Sequence, residues 1–576
     1  MKINKKIIEY NVKLLLRQPI AVVLLCFGYS LLIGLLINKY IQLAFVIHAE
    51  SYFFKIHTMQ YSYMHFIIIG IVSIILFSVE KDAHIYEALY NYTDVQKKNK
   101  VLIMLAINSI VFLSVIAIVL ITYCTSKSLN LIRIEYIYSI IYQNFVDYFL
   151  IGIFSILCSA LISQIKEWVY KGLCFAIVHF IFGYPFYMIC QTLGLSFYNN
   201  RFINFFMNIT ALLPDGFSFG TDGYGVYPTQ PHRVILILAW CFLIVFILLI
   251  LEKNWRKQRC LFCGTGIILI ILIGFSFVPY CQISEGYRTV NRFNKMHYEM
   301  NGGIVGREQE IAEFCVEEYN IKISAYLNMY AEVTAKIDNV NLNEYVFTLY
   351  DEYQIVDIRN QTGVSLEYVV DEHYITIFSG DEPISEIKFI YYGAGDPFYC
   401  DASGIFLQSG IPFFPFAGKE PLYDDSDYYN AIYYNNVHLP ETTLFNVKIN
   451  TIGEVVSSLP KVGHNEFSGY GDGFFILKGA YEIIEYEGAT FIYPYATEME
   501  ALILDEKIIT SYLEGLKECV GDEVYNTLPT NCILIDWQYS RSRMINLYSN
   551  HIIIPSVYFN ESVKEGMEIY IESEGL

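Results

Sequence analysis

The chain has 576 residues, 54% of them apolar, and a formal net charge of −20. The acid is confined to one half: residues 1–280 hold 21 Lys+Arg against 12 Asp+Glu, and residues 281–576 hold 17 against 46. A single small domain is excluded by length, and nucleic acid is excluded as a partner of the second half, whose field repels polyanions.

The chain opens on a mixed basic stretch with no short apolar core and cleavage site, so the first membrane span is expected to act as the export signal. Ile3, Ile7, Tyr10 and Leu14 recur at helical spacing, with Lys2, Lys5, Lys6, Lys13 and Arg17 on the other side. This pattern predicts a helix lying flat at a bilayer surface. Seven runs are apolar enough to predict spans, which need roughly 20 residues each: 20–38, 61–79, 101–123, 146–164, 172–193, 234–251 and 261–280. His65 interrupts the second; His179 and Pro185 interrupt the fifth. Ionisable groups at membrane depth are functional candidates, so His179 and Pro185 are taken as a substrate-path candidate, with a neutral histidine bonded to a neighbouring helix as the equal alternative.

Loop charge sets the expected orientation. With the N-terminus in the cytoplasm, the inside segments carry 15 Lys+Arg and the outside loops 6. Seven spans then carry residues 281–576 to the outside. Between the second and third spans, Glu80, Asp82 and Glu87 precede Lys97, Lys98 and Lys100, an order favoured by a helix dipole. Ile85, Ala88, Leu89 and Tyr92 share one face of that segment. The pattern alone equally fits a solvated loop. Cys260-x-x-Cys263 has metal spacing without a second pair, which reads as apolar filling of a span end.

The order of these features resembles the permeases of ABC exporters of the second, six-helix type. The resemblance covers residues 1–251 and rests on the basic helix, the loop Ser78-Val79-Glu80-Lys81-Asp82 with Glu87-Ala88-Leu89, and the outer segment Phe202–Leu213 ending at Leu213-Pro214-Asp215-Gly216. It implies an ATPase-coupling role for Glu80, Asp82, Glu87 and Leu89, and an interfacial helix carrying Ile3, Ile7, Tyr10 and Leu14. It also implies a separate ATPase subunit, a second permease copy or a related permease, and a bacterial plasma membrane. No G-x-x-x-x-G-K-[ST] is present, so no phosphate-cradling loop supplies ATP hydrolysis within this chain.

Beyond residue 280 the texture changes. A helical stalk is expected over 281–324, and alternating strands from 325, among them Met329–Ile337, Tyr345–Tyr350, Ser365–Val370, His373–Phe378, Ile387–Tyr392, Thr443–Asn450 and Phe474–Leu477. The five cysteines of this half (Cys281, Cys315, Cys400, Cys519 and Cys532) are odd in number and widely spaced, unlike a disulfide framework. The strand Ile387–Gly393, the run Pro412-Phe413-Phe414-Pro415-Phe416 and the strand Leu444–Ile449 resemble the N-terminal sandwich of the gluzincin aminopeptidases. Residues 499–560 resemble the opening of that family's catalytic domain. The resemblance stops at the chemistry: no HExxH exists in the chain, and Gly566-Met567-Glu568 is only a fragment of that family's substrate motif. His373, His438, His464 and His551 are isolated in sequence.

The resulting expectation is an α-helical polytopic membrane domain plus an extracellular mainly-β (α+β) domain. Its parts are 1–280 (permease), 281–324 (stalk), 325–500 (β-sandwich-like) and 501–576 (a truncated peptidase-like extension). The expected function is export of an amphipathic peptide, lipopeptide or lipid, powered by the partner ATPase; Phe413, Phe414, Phe416 and the many tyrosines are candidate outer contacts, with packing of the sandwich as the favoured reading for any one of them. No enzymatic activity, metal or cofactor is expected. The alternative is a membrane-anchored receptor or sensor without transport activity.

Overall fold

The computed structural model describes residues 5–45, 59–82, 93–127, 141–183, 185–186, 189, 209–210, 212–213, 231–251 and 259–276, most of 310–494 and parts of 510–555. The chain divides into two units, one helical and one mainly β.

In the helical unit, α1 spans Lys5–Leu16, its exposed side held by Lys13 donating to Glu9 one turn back at 2.8 Å. Pro19 ends it by forcing Gln18 into extended backbone (φ −94°, ψ 105°), and the same proline opens α2, Pro19–Val23, at a position where its missing N–H costs nothing. A π-helical turn, Leu24–Gly28, joins α2 to α3, Tyr29–Phe45. Then come α4, Met59–Asp82; α5, Thr93–Lys127; a second π-helical turn, Phe145–Leu150, running into α6, Ile151–Ile162; α7, Trp168–Ile181; α8, Pro231–Leu251; and α9, Arg259–Ser276. Among the described residues, five stretches are long and apolar enough to cross a bilayer: Pro19–Asn38, Tyr61–Val79, Asn99–Ile121, Ile141–Ile162 and Arg233–Leu251. This is a multi-pass membrane protein. The fifth and seventh expected spans appear as shorter apolar helices within Trp168–Ile181 and Leu261–Gly274. In Tyr61–Val79 and Ile141–Ile162, 67% of the residues are buried, against 22–28% in the other three. Helices α4 and α6 are therefore the inner pair.

The buried stripe of α1 differs from expectation. Asn11 and Leu15 are buried and Ile8 half-buried, whereas Tyr10 is 39% exposed and Leu14 half-buried. One residue of helix is about 100°, so the face packed on α4 and α5 lies one position further round. Ile3 and the side chain of Ile7 lie outside the described residues.

The second unit contains, in chain order, β1 (Val316–Ala325), β2 (Met329–Ile337), β3 (Glu344–Thr348), β4 (Gln354–Asn360), β5 (Glu367–Asp371), β6 (Tyr374–Phe378), β7 (Glu386–Gly393), β8 (Tyr399–Cys400), β9 (Ile405–Leu407) and β10 (Phe416–Ala417). It continues with β11 (Tyr423–Asp424), β12 (Tyr433–Tyr434), β13 (Thr443–Asn450), β14 (Val456–Ser457), β15 (Lys461–Gly463), β16 (Glu466–Gly471), β17 (Ile476–Lys478), β18 (Tyr481–Tyr486), β19 (Ala489–Pro494), β20 (Asn531–Ile535), β21 (Asn546–Leu547) and β22 (Ile552–Pro555). The main sheet has the order β15-β16-β13-β1-β2-β7-β4, with β1 and β13 parallel. Two four-stranded sheets, β10-β3-β6-β5 and β14-β17-β9-β8, contribute to the same core; a five-stranded sheet, β18-β19-β20-β22-β21, follows.

The expected helical stalk is corrected over its last nine residues, 316–324. Val316–Ala325 is strand β1 at the middle of the main sheet, burying Val316, Tyr319, Ile321, Ile323 and Ala325. Its alternation has period two, and pairing on both edges overrides the helix-compatible run of charges that precedes it. The aromatics pack the sandwich and are not outer contacts: Phe413, Phe414 and Phe416 are at 0–1% exposure, and all three lie in the core with Tyr319, Phe445 and Phe474. Phe414 stacks on Phe474 at 5.4 Å and meets Tyr319 edge-on at 5.1 Å, the offset geometries that aromatic quadrupoles favour. The C-terminal sheet is clasped to the sandwich by a 2.5 Å hydrogen bond between Ser409 Oγ and His551 Nε2, both groups buried.

Candidate functional site: a polar hub among the inner helices

Apolar helices satisfy their own backbone, so polar side chains buried among them must find partners on other helices. Here they find backbone carbonyls opened by irregular helix. His65, on α4 and fully buried, has Nε2 2.8 Å from Asn108 Oδ1 and 3.1 Å from the Tyr148 carbonyl. The Asn108 amide donates from Nδ2 to the Phe149 carbonyl at 3.0 Å, which turns its Oδ1 toward the histidine. Both groups facing Nε2 are acceptors, so Nε2 carries the proton and Nδ1 accepts from the Tyr29 hydroxyl at 3.1 Å.

Tyr148 and Phe149 belong to the Phe145–Leu150 π turn, and Tyr29 follows directly on the Leu24–Gly28 π turn. Single π turns are uncommon and concentrate at functional sites. His65 thus joins these two π turns to α4 and α5. Glycine makes the close approach feasible: a Cβ on Gly152 would sit 1.9 Å from Asn108 Oδ1.

The same π turn carries Asp147, fully buried and paired with the buried Arg233 at the start of α8. Gln143 donates to the other Asp147 oxygen at 3.3 Å, and Arg233 Nε donates to the Leu212 carbonyl at 2.7 Å. Such a pair offsets the cost of burying each charge and fixes α8 against α6.

His179 lies one helix away, on α7, at 3% exposure. Its Nδ1 stands 3.0 Å from the Phe175 carbonyl; its Nε2 stands 3.2 Å from the Phe66 carbonyl and 3.3 Å from Ser155 Oγ. The ring stacks on Phe66 at 4.1 Å. Gly70 leaves room for it, since a Cβ there would come within 2.9 Å of Nε2. Pro185 is half-buried, and no described contact joins it to His179. Of the coupling residues, Glu80 and Asp82 fall in the last turn of α4, and Glu87 and Leu89 lie outside the described residues. Near that connection, three buried side chains have atoms without a hydrogen-bond partner among the described residues: Asn11 on α1, Ser78 near the end of α4 and Asn99 near the start of α5.

Sequence reasoning found His65 and His179 as breaks in apolar runs and missed Asp147, Arg233, Asn108 and Ser155. A lone acid at the start of one span and a lone base at the start of another is a readable signal. The carbonyl acceptors have no sequence signal.

In the second unit, Cys315, Cys400 and Cys532 form no disulfide among the described residues, and Cys281 and Cys519 lie outside them. His373 and His551 are buried in separate parts of the unit, and His438 lies outside the described residues.

No protein-family model matches the chain, and no curated protein matches it. Among solved structures, the chain is similar to an M1 zinc metallopeptidase from Deinococcus radiodurans, at 12% identity and TM-score 0.27 over 45% of this chain and 64% of that one. It is also similar to leukotriene A4 hydrolase from Saccharomyces cerevisiae, at 9% identity and TM-score 0.28 over 47% of this chain and 46% of that one. The chain thus spans less than two thirds of these structures' own lengths, and likeness at this level assigns it no activity.

Proposed function

We propose that this chain is the permease subunit of an ABC transporter that expels an amphipathic peptide, lipopeptide or lipid from a bacterial plasma membrane. A separate ATPase supplies the energy, and a second permease, identical or related, completes the path. The observation that carries the reading is local. The basic helix α1 packs against α4 and α5, the two helices whose connection holds the coupling residues of the resembling family. Among the described residues, Asn11, Ser78 and Asn99 have buried polar atoms without a hydrogen-bond partner. A seam of this kind can be shifted by a motor more cheaply than a fully bonded one.

The loop charges support a cytoplasmic N-terminus and an outward β unit. That unit acts as a binding or gating cap without peptidase chemistry, because the helical His pair and glutamate that hold and use zinc are not in the sequence. The deciding experiment is affinity purification of the chain from its native membranes. A Walker-motif ATPase should copurify, and Glu80→Ala with Asp82→Ala and Glu87→Ala should uncouple its ATP hydrolysis from substrate. Recovery without any ATPase overturns the proposal. A cysteine at Ile452, 70% exposed, should react with an impermeant reagent in intact cells if the unit faces outward; labelling only after lysis reverses the orientation.

A further inference from the structure

The outer face of the main sheet carries a charge arrangement that strand pairing alone does not favour. In one cross-strand row, Glu466, Lys448, Lys322 and Glu332 stand opposite one another on β16, β13, β1 and β2. The order is acid, base, base, acid, so two ammonium groups lie side by side. Like charges directly opposite destabilise a sheet, and exchanging Lys322 with Glu332 in the same row would alternate the signs. Departures from a local rule of this sort are expected where function requires them.

The flanking pairings leave one cation open. Lys448 donates to Glu466 at 2.6 Å, and Lys388, on β7, donates to Glu332 at 2.7 Å. Among the described residues, Lys322 forms no ion pair, and it sits between the two pairs. These groups line a shallow trough of about 390 Å³ together with the Thr334 hydroxyl. Neighbouring amides are already committed: Asn446 donates to Glu318 at 2.8 Å and accepts from Ser468 at 2.8 Å. The trough is thus a pre-formed, net cationic spot on a half-chain that holds 17 basic and 46 acidic residues.

We propose that this trough is a recognition site for a phosphate monoester, whose oxyanion bridges Lys322 and Lys448. A group of charge near −2 suits two ammonium ions acting as point charges. A planar carboxylate is favoured by the guanidinium fork, and Arg359, the arginine of this sheet face, is committed to Asp357 at 2.6 Å. The site is independent of whether the helical unit transports anything.

The test uses the full-length protein in zwitterionic nanodiscs, titrated with phenyl phosphate by calorimetry and by thermal shift, with benzoate as the carboxylate control. Saturable phenyl phosphate binding is expected, weakened roughly tenfold or more by Lys322→Gln and by Lys448→Gln, the loss of one charge-assisted contact. Lys336→Gln, on the same face and paired with Glu317, should leave binding unchanged. In phosphate-free buffer Lys322→Gln should unfold at the same or a higher temperature than the wild type, because it removes the like-charge contact. Three results overturn the proposal: no saturable binding into the millimolar range, unchanged binding by both lysine variants, or benzoate binding as tightly as phenyl phosphate.

Discussion

The two units solve the problem of polar groups in opposite ways. The main sheet sorts its side chains by alternation: Tyr319, Ile321 and Ile323 point to the core, while Asn320, Lys322 and the charged rows point to water. The helical unit has no aqueous side along most of its length, so its polar side chains are turned inward and matched to carbonyls of neighbouring helices, two of them opened by the Phe145–Leu150 π turn. Water stands ready to replace a lost contact on the sheet face and is scarce in the helical hub. The same chemical deletion should therefore cost far more in the hub.

The sharpest break of that contrast is Arg233→Ala. It strands Asp147 as a buried charge, at about 3–5 kcal/mol. Full-length protein in detergent should lose its monodisperse folded peak, and Asp147→Asn combined with Arg233→Gln should recover most of it. A variant Arg233→Ala as stable as wild type would mean that water reaches the pair.

An apolar deletion in the sheet unit gives the reference scale. Phe414→Ala removes a fully buried ring from the aromatic core, with an expected loss of about 3–5 kcal/mol in the unfolding of that unit. The near equality of these first two effects would show that the sheet unit is vulnerable through its core and the helical unit through its polar contacts. Smaller is Gly152→Ala. Its methyl displaces the Asn108 oxygen that holds His65, and overpacking of this kind costs about 1–3 kcal/mol. Shortening the partner with Asn108→Ala in the same chain should relieve the clash without restoring the His65 contact, which a thermal melt of the pair of variants distinguishes.

The contrast also explains what was legible. Strands β2 and β13 match the expected Met329–Ile337 and Thr443–Asn450 to the residue, because one face is wet and period two appears in the sequence. Strand β1 was obscured by Glu317 and Glu318 and by the charged residues before it, although the alternation from Tyr319 to Ala325 is plain. In the helices both faces are apolar, so hydropathy locates spans and not their buried sides; α1 shows this, its packed face lying one residue from the predicted one. His65 and His179 stood out because imidazole breaks an apolar run. Asn108 and Ser155 are too small to do so, and the carbonyls they meet are fixed only by packing: Asn108 reaches Phe149 in a π turn, and Ser155 reaches Phe66 on α4.

The smallest expected effect belongs to the wet side of the comparison. Lys388 donates to Glu332 at 2.7 Å across β7 and β2, with side chains 38% and 31% exposed. That hydrogen bond, ahead of the opposing effect of partial burial, holds the Glu332 carboxyl below its usual value. A depressed carboxylate stabilises the fold above its unfolded pKa, about 4.3, and the contribution is lost as pH falls through the lower folded value. Solvent screening at this exposure reduces it to a few tenths of a kcal/mol, about 0.2–1 at most. Lys388→Met should therefore lower the stability of the sheet unit slightly at pH 7 in phosphate-free buffer and converge with wild type once the pH falls below the lowered folded value of Glu332. High salt should shrink the gap at pH 7 in the same way. A gap that persists at low pH would mean that the lysine stem, packed along the strand face, and not its charge, is what the sheet uses.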